Sequence, residues 1–474
     1  MRKWVVATCC ALAALASAAP AHAQLPYGNG PQWRTDPGQV PNDLDGAGNT
    51  FKFAATPEDN NFPVNQQQSE LCGVRGGWIA DAHASYAFSA CPPDPGGTRT
   101  VNTAWTVTTG RPDVSIAVLD SGIEWNDLGA MEDLRHKVRL NTGELPPPNV
   151  DGPSQDPYVN CDDLKGKPAG TYDLNGDGVV NVSDYACDSR VSADPPHGSG
   201  ATYPADWSDA FARGKPVLDP EDIIIAFSDG TDADHNGYVD DIAGWDFLDD
   251  DNDPFDDVQY GHGTGEAKNS SAEANNGGQT GSCPNCMVIP LRVGDSFVAD
   301  ENRFAAAALY ATDNGALVIQ EALGTLNNSK LGRDAVDYAY RHGVTVIASA
   351  ADEAAQHHNY PSSLPHTIVV NSVRNYDAST EAPKSYLRFN GCTNFSSKIT
   401  VAIPSTSCSS NATGIAAGIA GLVYSAALNA HDSNRLGRDT ADCNPLSPRA
   451  CYVTPNEVRQ LMASGQVGPT PQSD

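Results

Sequence analysis

The sequence is short of positive charge: 29 lysines and arginines stand against 59 aspartates and glutamates in 474 residues, a formal net charge of −30. A surface so acidic repels polyanions, which argues against nucleic acid or an anionic membrane as partner, and it attracts divalent cations. Beyond the N-terminus no apolar run reaches the length expected of a membrane span. The one Cys-x-x-Cys, Cys283-Pro-Asn-Cys286, has no second copy to complete a zinc tetrad and no thioredoxin-like surroundings. No internal repeat is visible beyond two related acidic loops.

What is present begins with Met1-Arg2-Lys3, a basic start, followed by an apolar run from Trp4 to Ala19 and the small-x-small stretch Ala21-His22-Ala23. This predicts a signal peptide over residues 1–23, a mature chain from Gln24 and a secreted, extracellular or periplasmic protein. Of 12 cysteines, Cys9 and Cys10 leave with the signal, and the even remainder suits an oxidising compartment. Spacing suggests the bridges Cys72–Cys91, Cys161–Cys187, Cys283–Cys286, Cys392–Cys408 and Cys443–Cys451. A redox pair or half a metal site stays open for Cys283 and Cys286.

Residues 24–103 are rich in Gly, Pro, Asn and Gln with little periodicity, and read as an irregular lead-in. From Asp113 short β-branched runs alternate with alanine-rich stretches. Buried strands are predicted at Val114–Leu119, Met287–Val293, Leu317–Gln320, Val344–Ala348 and Thr367–Val373. Helices are predicted at Arg303–Asp313, Arg333–Arg341 and Ser410–Ala427. The alternation predicts an α/β fold with a doubly wound, mostly parallel sheet sandwiched by helices, as one large domain over 104–465 and a tail over 466–474. An acidic insertion of about 124–260 interrupts it and is expected to sit on the surface as loops or ordered excursions.

Three local blocks carry chemistry. Val114-Ser-Ile-Ala-Val-Leu-Asp120-Ser-Gly122 is an apolar strand ending in a carboxylate, placed at the edge where open α/β sheets put their sites. Tyr260-Gly-His262-Gly-Thr-Gly265 offers an imidazole between glycines that admit close backbone approach. Ser409-Ser410-Asn-Ala-Thr413 opens an apolar helix with a hydroxyl. Singly, these read more often as a helix cap, a loop histidine and an N-cap. Together they supply the acid, base and alcohol of nucleophilic acyl transfer, in the chain order Asp, His, Ser.

These blocks, with Ala412-Thr413-x-x-x-Ala-Gly-x-x-x-Leu-Val423, resemble the subtilisin-like (S8) serine peptidases over about residues 104–465. The resemblance implies a serine endopeptidase of protein or peptide substrates in which Asp120 orients His262, His262 is general base and acid, and Ser410 is nucleophile. It also implies a substrate-lining segment at Ala322, Leu323 and Gly324, and an oxyanion hole from the Ser410 backbone N–H and the side chain at position 352. Three departures stand out: Cys408-Ser409 precedes Ser410 where the family has Gly-Thr, Gly414 stands where proline follows Ala-Thr, and Asp352 stands where an asparagine donates. An ionised Asp352 has no proton to give, so a catalytically impaired subtilisin-fold binding protein is the alternative reading.

Asp173, Asn175, Asp177, Val179, Asn181 and Asp184 have EF-hand spacing, with Gly178 at the sixth position, and predict a structural calcium loop bracketed by Cys161 and Cys187. The second loop, with Asp232, Asp234, Asn236 and Tyr238, lacks the final carboxylate, since Ala243 stands there, and Asp241 is its expected substitute. A dockerin-type assembly module ranks last, because the loops are far apart. A monomer is expected, and the acidic run Asp246 to Asp257 is expected to solvate the surface.

Overall fold

The computed structural model describes residues 107–193, 214–274, 279–297, 300–374, 388–389, 391–405, 407–436 and 452–463, with 44–45, 49–50, 202, 205 and 276. The signal peptide, nearly all the lead-in, the bridges Cys72–Cys91 and Cys443–Cys451 and the tail lie outside these residues.

Strand β1 (Ser115–Asp120) is buried at all six positions, as a strand covered on both faces must be. It starts a series that continues with α1 (Leu128–Leu134), α2 (Cys161–Leu164), α3 (Val182–Tyr185), α4 (Pro220–Phe227) and β2 (Trp245–Asp246). Next come α5 (His262–Ser271), β3 (Met287–Arg292), α6 (Glu301–Asp313), β4 (Val318–Glu321), α7 (Lys330–Arg341), β5 (Thr345–Ser349) and β6 (Thr367–Arg374). The series closes with β7 (Arg388–Phe389), β8 (Val401–Pro404), α8 (Ser409–Asp432) and α9 (Pro455–Ala463). Seven strands run parallel in the order β8-β6-β5-β4-β1-β3-β2, with β7 antiparallel on β6. β1 therefore has later strands on both sides, and the chain's direction of winding reverses there. A crevice opens at the carboxyl end of such a strand, and Asp120 ends this one.

The period of two along β1 divides the core. Ile116 and Val118 face the side of α5 and α8, where Ala267, Ala412, Ala416 and Ala420 are buried. Ala117 and Leu119 face α6 and α7, among Phe304, Ala308, Ala335 and Val336. Leu119 is fully buried, and its truncation to alanine should cost about 2–5 kcal/mol.

The five predicted strands and three predicted helices are present within a few residues. No helix is predicted at α5, because His262-Gly-Thr-Gly opens it with poor helix formers; packing overrides that propensity. β2 and β8 are too short for a periodic signal. The insertion also differs from the surface excursion expected of it. Val182, Tyr185, Leu218 and Ile223 are buried in the main core, and β2 extends the sheet beside β3. A further correction concerns α8, which is long and apolar enough by composition to cross a membrane, yet most of it is buried in the core.

Among the described residues three bridges form: Cys161–Cys187, Cys283–Cys286 and Cys392–Cys408. Cys283 and Cys286 are buried in the core against α8, where a Cβ on Gly421 would lie 2.8 Å from Cys286 Sγ. A disulfide sealed in this way is structural and is not half of a metal site.

Candidate active site

Asp120 is 1 % exposed, and its Oδ1 accepts the Ser121 N–H at 2.8 Å and lies 2.7 Å from His262 Nδ1. A carboxylate can only accept, so Nδ1 carries the proton and Nε2 is left as the basic nitrogen. The ring is held by a frame that the motifs only hint at. The Ser121 hydroxyl donates to Asp256 Oδ2 at 2.9 Å and accepts the Gly263 N–H at 3.0 Å. Asp256 also takes the N–H groups of Tyr260 and Gly261. Gly261, at φ +71°, and Gly122, at φ +93°, adopt backbone that side chains disfavour, and a Cβ on Gly263 would come within 2.4 Å of Gly122 O. Asp256 is fully buried, so this member of the acidic run is structural and does not solvate the surface.

Tyr260 stacks on the His262 ring at a centroid distance of 5.5 Å, and the exposed Phe297 stands edge-on to both. Burial alone would discourage charge on the imidazole, but Asp120, then Glu266 and Asp352, outweigh it and lift His262 to about 9.

Ser410 is the second residue of α8, whose first-turn N–H groups have no intrahelical acceptor, and the preceding Cys408 makes no side-chain cap. Its hydroxyl lies 3.3 Å from the Ala322 carbonyl. Ser410 and His262 line one cleft of about 740 Å³, together with Glu124, Phe297, Asp352 and Cys408 among others. Asp352 Oδ1 accepts both the N–H and the hydroxyl of Ser409, at 2.9 and 2.6 Å. Burial raises this carboxyl above its ordinary range, against the two Ser409 hydrogen bonds.

The expected substrate segment is placed unevenly. Ala322 meets Ser410 through its carbonyl, Leu323 is buried in the core beside Ile319, and the Gly324 N–H is bonded to Phe297 O at 2.9 Å. None of the three is among the residues that line the cleft, and Leu323 is buried in the core on the side of α6 and α7.

Two buried carboxyls near the site had no signature in the sequence. Glu266, one turn after His262, is pushed up to about 8 by burial, with the His262 charge opposing and Asp120 reinforcing. Glu321, at the end of β4, is fully buried, and burial, then Asp120 and Glu301, hold it well above the usual range against the opposing Leu323 N–H.

The acidic loops lie apart from the cleft lining. In the first, Asp173 accepts the N–H groups of Gly176, Asp177 and Gly178, and the Val179 N–H bonds Asp177 Oδ1. Asn175 donates to Asp177. Asn181 caps α3, and Asp184 completes the capping box while also accepting from Leu174 and Asn175. Asn181 and Asp184 are thereby committed to backbone N–H groups. In the second loop Asp232 binds the N–H groups of Asn236 and Gly237, and the Tyr238 ring packs edge-on against Trp245 and Tyr310. Asp234 and Asp241 gather with Glu144, one carboxylate oxygen from each lying within 4.8 Å of the others, the single such trio among the described residues. Glu144 is about ninety residues earlier in the chain, and nothing local to it signals the role.

Fold and site together define a doubly wound α/β protein with an acid, an imidazole and a hydroxyl brought to one cleft at the sheet's switch point. The sequence profile described as "Subtilase family" matches residues 111–464, and the chain belongs to that family. It is 35% identical over 160 residues to a thermophilic serine proteinase of Bacillus sp. (strain AK1), covering 33% of this chain and 38% of that protein. It is 34% identical over 217 residues to thermitase of Thermoactinomyces vulgaris, covering 42% of this chain and 74% of the relative. A solved cold-adapted subtilisin-like serine proteinase is 22% identical, with a TM-score of 0.34 over 47% of this chain and 72% of that one. The match to the Bacillus enzyme thus spans well under half of that enzyme's length.

Proposed function

We propose that this chain is a secreted serine endopeptidase that cleaves peptide bonds through an acyl-enzyme on Ser410. The observation that carries the reading is the 2.7 Å contact of Asp120 with His262 Nδ1 beside a cleft that Ser410 shares. Nε2 takes the Ser410 proton as Oγ bonds to the scissile carbonyl carbon, and the imidazolium then returns that proton to the departing amine. Water repeats the sequence with the acyl carbon as its target and regenerates the serine. The Ser410 N–H, in the first turn of α8, is the backbone donor for the oxyanion. Protein or peptide chains are the substrates, the monomer is the working unit, and export follows from the basic and then apolar N-terminus.

A fluorophosphonate probe tests this directly, since only an activated serine reacts. Wild type should be labelled and should hydrolyse a peptide substrate, whereas Ser410→Ala should do neither. A second reading, a non-catalytic binding protein on the same fold, is favoured by the carboxylate of Asp352 at an oxyanion position. An unlabelled wild type would establish it.

We infer a structural calcium ion at Glu144, Asp234 and Asp241. Three carboxylate oxygens in so small a space suit a hard dication with oxygen ligands, and the ion would neutralise their mutual repulsion.

A further inference from the structure

Glu266 is an expensive residue to bury. It lies on α5 four residues after His262, is 4 % exposed, and is surrounded by elements that bear the rest of the site. Its Oε1 accepts Asn269 Nδ2 at 3.2 Å and its Oε2 accepts Gln320 Nε2 of β4 at 3.3 Å. The same Gln320 nitrogen donates to the Glu266 carbonyl at 3.0 Å. From α8, Gly414 packs directly against the carboxyl: a Cβ there would stand 2.8 Å from Oε2 and 2.6 Å from Asn269 Cβ. A proline at 414 would fill that same space. One carboxyl thus meets the helix of His262, the helix of Ser410 and the strand that leads to Ala322.

We propose that Glu266 is a positioning residue of the active site: it clamps α5 to α8 and β4, and so sets the ring of His262 against the hydroxyl of Ser410. The proposal rests on the triad reading above. Desolvating a carboxyl is costly, and an aliphatic side chain would fill the position without that cost, so a clamp that is paired on both oxygens has a reason to be retained. Its charge has a second effect. Besides the Tyr260 phenol stacked on it, the ring faces three carboxyls: Glu266 from its own helix, Asp120 from β1 and Asp352 from the loop after β5. Each carboxyl favours the imidazolium, and Glu266 itself faces His262 and Asp120.

The test uses full-length wild type, Glu266→Gln, Glu266→Ala and Ser410→Ala, read by fluorophosphonate labelling, kcat and KM on one peptide substrate, and the pH profile. Glu266→Gln keeps one accepting oxygen but turns an amide NH2 toward the donor of Asn269 or Gln320, so it should lower kcat, by less than Glu266→Ala does. Its acid limb should move down by about one pH unit, because a negative charge beside the ring is gone. Glu266→Ala should lose at least about tenfold in kcat with KM nearly unchanged, the signature of misplaced catalytic groups. Wild-type kcat and an unmoved acid limb in both variants, with Ser410→Ala inert, would overturn the proposal and leave the triad standing. If Ser410→Ala reacts like wild type, the triad reading falls and takes the proposal with it. If Glu266→Ala does not fold, the acid limb of Glu266→Gln decides alone.

Discussion

Asp352 holds Ser409, the residue just before the proposed nucleophile, by accepting both its N–H and its hydroxyl on a single oxygen, Oδ1. Ser409 in turn shares a hydrogen bond with Ser349 at the end of β5, so the carboxyl anchors the start of α8 to the sheet.

An asparagine at 352 could accept the same two hydrogen bonds through its amide oxygen and add an N–H facing the cleft. Asp352→Asn is therefore expected to raise kcat, by up to about a hundredfold for a full oxyanion donor, with the gain largest where the wild-type carboxyl is ionised. Steady-state kinetics across pH would check it, and an unchanged kcat at every pH would refute the idea that position 352 faces the oxyanion.

His262 needs its neutral form to take a proton, and its neighbours hold it at about 9. Accordingly kcat/KM should climb through the alkaline range and level off near that value, which a pH–rate profile would read. The linkage to stability has the opposite sign. A histidine raised in the folded state contributes stability that is complete below its unfolded value, near 6.5, and is lost as pH rises through about 9. Activity should gain where this part of the stability fades.

Away from the cleft, Arg135 pairs with Asp156, both buried, and His136 lies between Asp156 and Glu273. Burial opposes ionisation of Asp156, but Arg135 and His136 outweigh it and hold it well below the usual carboxylate range. Arg135→Met would remove the guanidinium from that buried charge, leaving only the His136 contact among its described side-chain partners, and should cost about 3–5 kcal/mol in urea denaturation, with the deficit shrinking as pH falls and Asp156 is protonated.

Chelation should lower the melting temperature if a dication sits at Glu144, Asp234 and Asp241. An ion present at a hundred times its dissociation constant contributes about 2.7 kcal/mol. Glu144→Gln should remove the response to chelator. An equal response in wild type and variant would place the ion elsewhere.

Much of the fold was legible because its signals are local. Val114–Leu119 and Thr367–Val373 are short runs rich in Val, Ile and Thr, and such a strand, largely buried, needs little else to be seen. The helix of His262 was not legible, since its first four residues argue for a loop and only the packing of Gly263 against Gly122 accounts for them. The EF-hand spacing of residues 173–184 was clear, yet Asn181 and Asp184 serve a capping box whose partners are backbone groups. Asp256 looked like one more solvated acid until its N–H donors and Ser121 were placed around it.

By itself the sequence determined the sheet's strands, the order acid, base, alcohol along the chain, and an excess of negative charge, because each is written in contiguous residues. Only the tertiary structure decided which of the many carboxyls act together: Asp120 with His262 across more than a hundred residues, Glu266 with Gln320 and Gly414, Glu144 with Asp241. The physical reason is that a carboxyl's influence depends on its burial and on the donors that reach it, and both are set by chain segments distant in sequence.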